Sequence, residues 1–454
     1  MSSSIRIGEF LHRKKVPVEI DPALSYSLVT VKLHHKGVVQ RERKLGSLLG
    51  SNMYRVSAGD FILSGIDARN GAFGIVPPEL DGAIVTNDFW YFNIDETKVK
   101  RDFFYWLSST PLFLDACQKS SKGETQRIRL QKELFNNFEF HFPPADQQEE
   151  FLYGLTKIDA SLTRLSDESN LQSSYLTKLR QAILQEAIEG KLTLAWRKAH
   201  PVLKGDPETD AQALLEKIKA EKERLVAEGK IKKQKLLAPI KPEDIPFGLP
   251  KGWLWTRLGE VSLSAEAGKS YLCNKDSVTG DAWGVIKTSA ITSGLFLESE
   301  SKLYSRIKPE DVRVKINFGD LLFCRSSGSK MLAGRSCIVR EISKNLLLSD
   351  KSIRLTLSMK IESNLINIFN NSEFGDKYRL SLSTHKSTSM NNVIRDDMLK
   401  IPIPLPPLAE QKAIVERVEK LLAIVDELEK QVAQRKLQAQ ALLQVVLAEA
   451  FEGN

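Results

Sequence analysis

The chain has 454 residues, with 42% hydrophobic and 27% charged residues, which is ordinary for a folded protein of two or three domains. The net charge of +8 indicates nucleic acid only weakly, because solubility alone accounts equally well for a basic balance. No apolar run reaches the ~20 residues of a bilayer span and residues 1–10 lack a signal-peptide core, so we expect a cytoplasmic protein. The four cysteines show no C-x-x-C spacing, and the six histidines are dispersed, which argues against a metal site.

Residues 1–145 are predicted to form a first globular unit. Stretches such as YRVSAGDFILSGIDARNGAFGIV (54–76) read as short strands separated by Gly-rich and polar turns. Arg and Asn suit base edges, and Lys suits phosphates. For each loop, the alternative to DNA binding is an ordinary solvent-exposed surface loop. The DNA-binding candidates here are Arg41, Arg43, Lys44, Arg69, Asn70, Lys122, Arg127 and Arg129.

Residues 146–250 are predicted to contain a long helix to about residue 190, a second helix at 210–229 and a proline-rich linker at 239–253. The proline pair at 143–144 ends the preceding strand and tolerates a helix start just after it. The apolar residues of the long helix follow the 3–4 spacing of a coiled-coil seam, with Ser169 and Gln172 making its middle polar. These seam positions are Phe151, Leu155, Ile158, Leu162, Leu165, Leu176, Leu179 and Ile183.

Residues 251–407 are predicted to form a second globular unit, and residues 408–454 a second long helix. VKINFGDLLFCRSSGSKMLAGRSCIV (314–339) repeats the strand–turn–strand pattern. The DNA-binding candidates in this unit are Lys287, Arg325, Lys330, Arg335, Lys386, Asn391 and Asn392. The seam of the second helix runs through Ile414, Val418, Leu421, Val425, Leu428, Val432, Leu442 and Val446.

The two halves are a tandem duplication. At a shift of 263, 13 of the 48 positions from 143 to 190 are identical without a gap. Each half also opens on R-x-G-E, at 6–9 and at 257–260. We therefore predict an α+β fold with two mixed α/β globular units, joined by two long helices that pack as an antiparallel coiled coil in a pseudo-two-fold repeat. The alternative, in which each helix packs on its own globular unit, is disfavoured by the long and matched seams.

The sequence contains no convincing catalytic set. The G-K-S at 268–270 lacks the earlier glycine of a phosphate-binding loop, where Leu263 stands instead. No G-x-G-x-x-G opens a helix after a strand. We therefore expect binding rather than catalysis.

Four segments resemble the specificity subunits of type I restriction–modification enzymes. They are LPPLAEQKAIVERVEKLLAIVDELE (405–429), EAIEGKLT (186–193), IKAEKERLVAEGKIKK (218–233) and PFGLPKGWLWTRLGEV (246–261). The resemblance implies that 1–145 and 251–407 are target-recognition domains, each reading half of a split DNA site, while 146–250 and 408–454 form the conserved spacer that sets the gap. It also implies a non-catalytic subunit. Unlike many members, this chain begins its first recognition domain almost at Met1.

The resemblance also implies partners and cofactors. Two methylation subunits carry S-adenosylmethionine and modify adenine, and restriction subunits that use ATP and magnesium join them. No cofactor is expected in this chain. Two alternatives stay open. One is a related recognition subunit that serves a fused restriction–methylation polypeptide, which neighbouring genes would decide. The other is a coiled-coil scaffold with two protein-binding units and no DNA role, which salt-indifferent binding would favour.

Overall fold

The computed structural model describes residues 3–50, 52–123, 128–274, 276–382, 384–387 and 390–452. The chain divides into two compact units. Unit one holds residues 1–172 and 431–454, and unit two holds residues 173–430. The divisions fall inside two long helices, so each helix contributes to both units. Within the described ranges, no helix is both long and apolar enough to cross a membrane.

Unit one combines short strands with short helices. Its strands are β1 (Ser3–Arg6), β2 (Leu11–Lys14), β3 (Pro17–Val18), β4 (Ser25–Val31), β5 (Val38–Leu45), β6 (Met53–Arg55), β7 (Phe61–Ser64), β8 (Phe73–Ile75), β9 (Ile84–Val85), β10 (Phe89–Ile94), β11 (Ser121–Lys122), β12 (Arg129–Leu130) and β13 (Glu139–Phe142). Its helices are α1 (Ile7–Phe10), α2 (Arg101–Ser108), α3 (Pro111–Lys119), α4 (Lys132–Asn136) and the first part of α5 (Gln148–Ile188).

Two sheets share the core of unit one. The four-stranded antiparallel sheet has the order β2-β10-β7-β8, and a five-stranded sheet has the order β3-β6-β9-β4-β5. All four residues of β7 are buried. Successive side chains on a strand point to opposite faces, so apolar clusters must cover both faces of β7. Phe61 and Leu63 enter one apolar cluster, and Ile62 enters another. This central strand ends at the turn that carries Arg69 and Asn70.

Unit two contains the remaining elements. Its helices are the end of α5, then α6 (Leu194–Ala199), α7 (Ala211–Ala227), α8 (Leu258–Val261), α9 (Ser289–Thr292), α10 (Ser363–Asn371), α11 (Glu373–Leu382), α12 (Arg395–Met398) and the start of α13 (Leu408–Glu452). Its strands are β14 (Leu254–Arg257), β15 (Ser262–Ala267), β16 (Trp283–Ile286), β17 (Ser301–Leu303), β18 (Leu321–Cys324), β19 (Ser326–Ser327), β20 (Ser336–Ile338), β21 (Asn345–Leu347), β22 (Ser352–Leu357), β23 (Thr384–Ser387), β24 (Met390–Asn392) and β25 (Pro402–Leu405).

The sheets of the two units repeat each other. The order β15-β22-β18-β20 in unit two matches β2-β10-β7-β8 in unit one, and the pair β14–β25 matches β1–β13. The R-x-G-E openings have the same local structure in both copies. The backbone N–H of Arg6 donates to Glu9 Oε1, and that of Arg257 donates to Glu260 Oε2, both at 3.1 Å. Each glutamate thereby caps a one-turn helix, as in a capping box.

The repeated glutamine after each proline pair joins the helix start to its own unit. The Gln411 amide nitrogen donates to the Pro406 carbonyl at 3.0 Å, and its oxygen accepts from the Glu362 N–H at 3.0 Å. In the first copy, the Gln148 amide donates to Pro143 and accepts from Lys100, both at 2.9 Å. Both glutamine side chains are buried. The motif is therefore conserved within the chain because a buried amide satisfies backbone groups that water cannot reach.

Glu410 makes a second attachment, in unit two. Its buried carboxylate accepts from Thr193 Oγ1 at 2.7 Å, from Arg197 Nη1 at 2.5 Å and from Trp253 Nε1 at 2.6 Å. These donors come from the segment after α5 and from the opening of the second half of the repeat. The first copy has the exposed Gln147 at the equivalent position. This carboxylate joins the start of α13 to the end of α5.

The helices α5 and α13 pack together in antiparallel orientation. In unit one, the rings of Phe151 and Phe451 lie 5.2 Å apart, and Lys436 donates to Asn170 at 3.0 Å. In unit two, Arg180 of α5 forms ion pairs with both Asp426 and Glu429 of α13. Residue numbers rise along one helix as they fall along the other, which is the direction predicted from the matched seams.

One row of each helix carries this packing. The inner row recurs every seven residues, at equivalent positions of the two copies, and each of its members is buried or half-buried. It comprises Leu155, Leu162, Ser169, Leu176 and Ile183 on α5, and Val418, Val425, Val432, Ala439 and Val446 on α13. The buried Ser169 hydroxyl donates to the Leu165 carbonyl at 2.7 Å, so a polar residue is tolerated in the row.

The structure corrects part of the predicted seam. Phe151, Ile158 and Leu421 are half-buried, and Ile414 is fully buried. The other predicted seam positions farther along each helix are more exposed, because the two helices contact each other mainly through the inner row. We call these exposed positions the outer row: Leu165 at 37%, Leu179 at 45%, Leu428 at 40% and Leu442 at 51% exposed.

Candidate nucleic-acid interface

A loop in unit two brings several of the predicted side chains together. Loop B, residues 325–335, joins β18 to β20 and includes β19. β19 pairs with β24, and the Val393 N–H donates to the Arg325 carbonyl at 2.9 Å. Loop B therefore lies against the β23–β24 hairpin. This arrangement places Arg325, Lys330 and Arg335 near the hairpin that carries Asn391 and Asn392.

The two asparagines serve the internal structure of this interface. Asn391 is buried, and its amide nitrogen donates to the Gly328 carbonyl at 3.1 Å. Asn392 accepts a hydrogen bond from the Ser326 hydroxyl. Both were predicted as DNA contacts. In this conformation the Asn391 nitrogen and the Asn392 oxygen are engaged within the loop.

Arg379 of α11 holds the backbone of loop B in place. This buried arginine donates to the carbonyls of Ala333 at 3.2 Å and Asn370 at 3.1 Å, and it forms an ion pair with Asp376. Burial, and to a lesser degree the nearby Arg335, lowers the pKa of Arg379 to about 10. The Asn370 amide also donates to the Gly334 carbonyl at 2.9 Å. The loop backbone is thus held by side chains before any ligand binds.

Unit one repeats this arrangement with different side chains. Loop A, residues 65–72, joins β7 to β8. The Leu130 N–H donates to the Gly65 carbonyl at 2.9 Å, so loop A lies against the β11–β12 hairpin as loop B lies against its own. The Gln118 amide donates to the Arg69 carbonyl at 3.2 Å. An open recess of about 380 Å³ lies between loop and hairpin, and its lining consists of Arg69, Asn70, Gln118, Ser121 and Ile128.

A histidine turn fixes the other side of loop A. The backbone N–H groups of His34 and His35 donate to the carbonyls of Asn70 and Gly71, at 2.9 and 2.8 Å. The His35 ring lies 3.2 Å from Ser108 Oγ, and its burial lowers its pKa. The ring anchors the histidine turn to α2, and the backbone N–H groups of the histidine turn hold the turn that carries Arg69 and Asn70.

The other candidates lie around these two sites or apart from them. Arg41 and Arg43 are exposed on β5, and Lys44 pairs with Glu42 on the same strand at 3.0 Å. Lys122 is exposed on β11, and Arg129 of β12 pairs with Asp88 at 3.1 Å. Lys287 follows β16, in a different sheet, and pairs with Glu300 at 3.4 Å. Lys386 lies in β23, and Arg127 lies outside the described residues.

Sequence reasoning missed the supporting residues Arg379, Asn370, Gln118 and His35. No local pattern could have found Arg379, because its acceptors are backbone carbonyls that only tertiary structure brings to it. Across the part of the chain that the structure describes, no group of three or more His, Cys, Asp and Glu side chains could hold a metal ion.

Comparison with known proteins defines the family. The sequence model of the type I restriction modification DNA specificity domain matches residues 25–172 and 250–435, which together make up most of the chain. The chain belongs to this family. Recognition of a DNA target is the role that the family implies.

Curated relatives are specificity subunits of type I restriction enzymes. The chain is 30% identical over 386 residues to the EcoEI specificity subunit of Escherichia coli, covering 75% of this chain and 62% of that protein. It is 25% identical over 302 residues to the EcoKI specificity subunit of Escherichia coli strain K12, covering 66% and 53%. The chain thus spans less than two thirds of the length of these relatives.

A solved structure shares the fold. It comes from work on complex assembly and conformational transition of the type I R-M system, and it matches with a TM-score of 0.61 at 17% identity. The match covers 99% of this chain and 97% of that one.

Proposed function

We propose that the chain is the DNA-specificity subunit of a type I restriction–modification complex and reads a bipartite target with a fixed gap. One observation carries the proposal: each half of a single chain presents an arginine-bearing loop against an equivalent hairpin, with Arg69 in loop A and Arg325 and Arg335 in loop B. Both halves connect to α5 and α13, which pack antiparallel. Two readers joined by helices suit a split site, as two-fold DNA readers suit paired half-sites.

In this proposal the chain itself performs no chemistry. Two methylation subunits bind it and modify adenine with S-adenosylmethionine, and restriction subunits that use ATP and magnesium join for cleavage. The exposed outer row supports a protein partner, since four leucines at matched positions of two packed helices remain open to solvent.

Selection from a random double-stranded DNA library tests the function. The full chain is co-expressed with its methylation subunits, and bound DNA is sequenced. We expect two short sequence blocks that are separated by an unread gap of constant length. One contiguous block, or no enrichment with the complex intact, would contradict the proposal.

The salt dependence of binding separates this function from a protein scaffold. Phosphate contacts release counterions, so the DNA affinity should fall by about 10³- to 10⁵-fold between 50 and 200 mM salt if six to ten phosphates are contacted. Association that is indifferent to salt would favour a scaffold with two protein-binding units.

A further inference from the structure

Each of the two loops carries an arginine within two residues of a glycine that has a left-handed backbone conformation and occupies the same position of the repeat. Gly71 and Gly334 are equivalent in the repeat and have φ of +78° and +79°, a conformation that favours glycine. Arg69 lies two residues before the first, and Arg335 directly follows the second. The two arginines therefore extend from the same turn of each copy, although they are not aligned residue to residue.

Arg69 and Arg335 differ from the other arginines whose Nε atom is buried without a hydrogen-bond partner. Four arginines of the described chain have such an atom: Arg13, Arg69, Arg101 and Arg335. The Arg13 guanidinium lies 4.4 Å from the centre of the Trp90 ring, and Arg101 pairs with Glu96 at 2.6 Å. Within the described residues, Arg69 and Arg335 have neither a carboxylate nor a ring as partner.

A guanidinium donor removed from water without an acceptor is destabilising, and such groups in folded proteins require an explanation. Burial lowers the pKa of Arg335, and the second cation Arg379 lies near it. Asp376 pairs with Arg379, whereas no carboxylate of the described residues pairs with Arg335, so one positive charge at the base of loop B lacks a partner. A ligand acceptor that bonds the outer guanidinium nitrogens would compensate this charge.

Resting on the proposed function, we propose that Arg69 and Arg335 each read a guanine, one in each half of the DNA target. Guanine presents the acceptors O6 and N7 side by side in the major groove, and the planar arginine fork matches that pair. The exposed Arg43 and Arg325 are instead suited to phosphates.

The backbone around both arginines supports base reading. The Arg69 carbonyl is held by Gln118, and the recess beside Arg69 is open to a base edge. The carbonyls of Ala333 and Gly334, which precede Arg335, are held by Arg379 and Asn370. A guanidinium on a fixed backbone can discriminate between bases, whereas a freely moving one contacts charge without reading sequence.

Substitution by lysine tests the proposal, because lysine keeps the charge and loses the fork. In library selections with the full complex, Arg69→Lys should lower the preference for guanine at one position of one half-site by about 5- to 150-fold. The other half-site should be unchanged. Arg335→Lys should give the reciprocal result, and the matched controls Arg43→Lys and Arg325→Lys should leave the motif intact.

Two results would overturn the assignment. One is an unchanged motif in both Arg69→Lys and Arg335→Lys. The other is a uniform loss of affinity with the motif preserved, which identifies phosphate contacts. The unsubstituted complex distinguishes these results from a failure of the function itself: if it selects no motif, the proposed function and this assignment both fall.

Discussion

A buried amide shows how one residue supports each copy of the repeat. Replacing Gln411 with Ala leaves the Pro406 carbonyl and the Glu362 N–H without their partner. We expect the free energy of unfolding to fall by about 1–3 kcal/mol, the cost of unsatisfied buried groups. Denaturant unfolding measures the change.

Gln444→Ala provides the matched control, because Gln444 is an exposed glutamine on the same helix. Its effect should stay within ~0.5 kcal/mol. Equal effects of the two substitutions would show that the buried amide has no special role.

Lys222 makes a pH-dependent contribution to stability. Its ammonium donates to the Gly259 carbonyl at 2.7 Å and to Gln234 Oε1 at 3.0 Å, and burial lowers its pKa from 10.5 to about 8. Between these two values the unfolded chain holds a proton that the folded chain has released, so the free energy of unfolding rises with pH.

The test compares the parent chain with Lys222→Met in denaturant unfolding at pH 7 and pH 10. The difference in free energy of unfolding should shift in favour of the parent chain as the pH rises. A difference that is constant over this range would show that the Lys222 pKa is not depressed.

The loop positions of some residues could be predicted from the sequence, and their hydrogen-bond partners could not. Arg69, Arg325 and Lys330 lie on loops between strands, as the alternation of apolar segments and polar turns predicts. Asn391 and Asn392 have the same composition signal, yet their amides bond the loop backbone. Residue type alone does not show whether a polar side chain bonds its own loop or stays free for a ligand, whereas the hydrogen-bond geometry does.

At the scale of elements, the heptad pattern predicted two long paired helices, and the structure has them. It did not predict that one row would be buried and the other exposed. A 3–4 spacing marks both rows alike, while the packing distance and the rotation of each helix decide which row meets the partner.

The length of the helix pair should set the gap in the DNA target. Inserting one heptad in α5 and one at the equivalent position of α13 preserves the inner row and adds about 10 Å, at ~1.5 Å per residue. We expect the unread gap to grow by about three base pairs, at ~3.4 Å per step. Library selection measures the gap.

A control insertion has the same length but a different location. Seven Gly and Ser residues placed after Gly280, which has open space around it, should leave the gap unchanged. An unchanged gap in the helix variant, with both sequence blocks still selected, would rule out the spacer role.

At the scale of the whole molecule, the outer row predicts how partners attach. Replacing its four leucines, which are 37–51% exposed, with Gln removes exposed apolar surface together with part of the helix packing, so the free energy of unfolding should also fall. The affinity for the methylation subunits should fall at least about tenfold, because burying even one leucine contributes ~1.5–3 kcal/mol. Titration of the purified chain with these subunits measures the affinity.

Leu48→Gln and Leu272→Gln are the controls, since both leucines are exposed, at 71% and 79%, and lie outside α5 and α13. They should leave assembly intact. Unaltered assembly by the outer-row variant would place the partner surface elsewhere.

The sequence by itself determined the duplication, the two long helices and the α+β class of the repeated units. These properties follow from patterns along the chain itself: identities at a constant shift and apolar residues at a constant spacing. The tertiary structure alone decided which loops meet which hairpins, which row of each helix is buried and which arginines keep an unpartnered donor. The physical reason is that these properties depend on groups far apart in the sequence, such as the hydrogen-bonded backbones of Arg325 and Val393, whose approach no local pattern encodes.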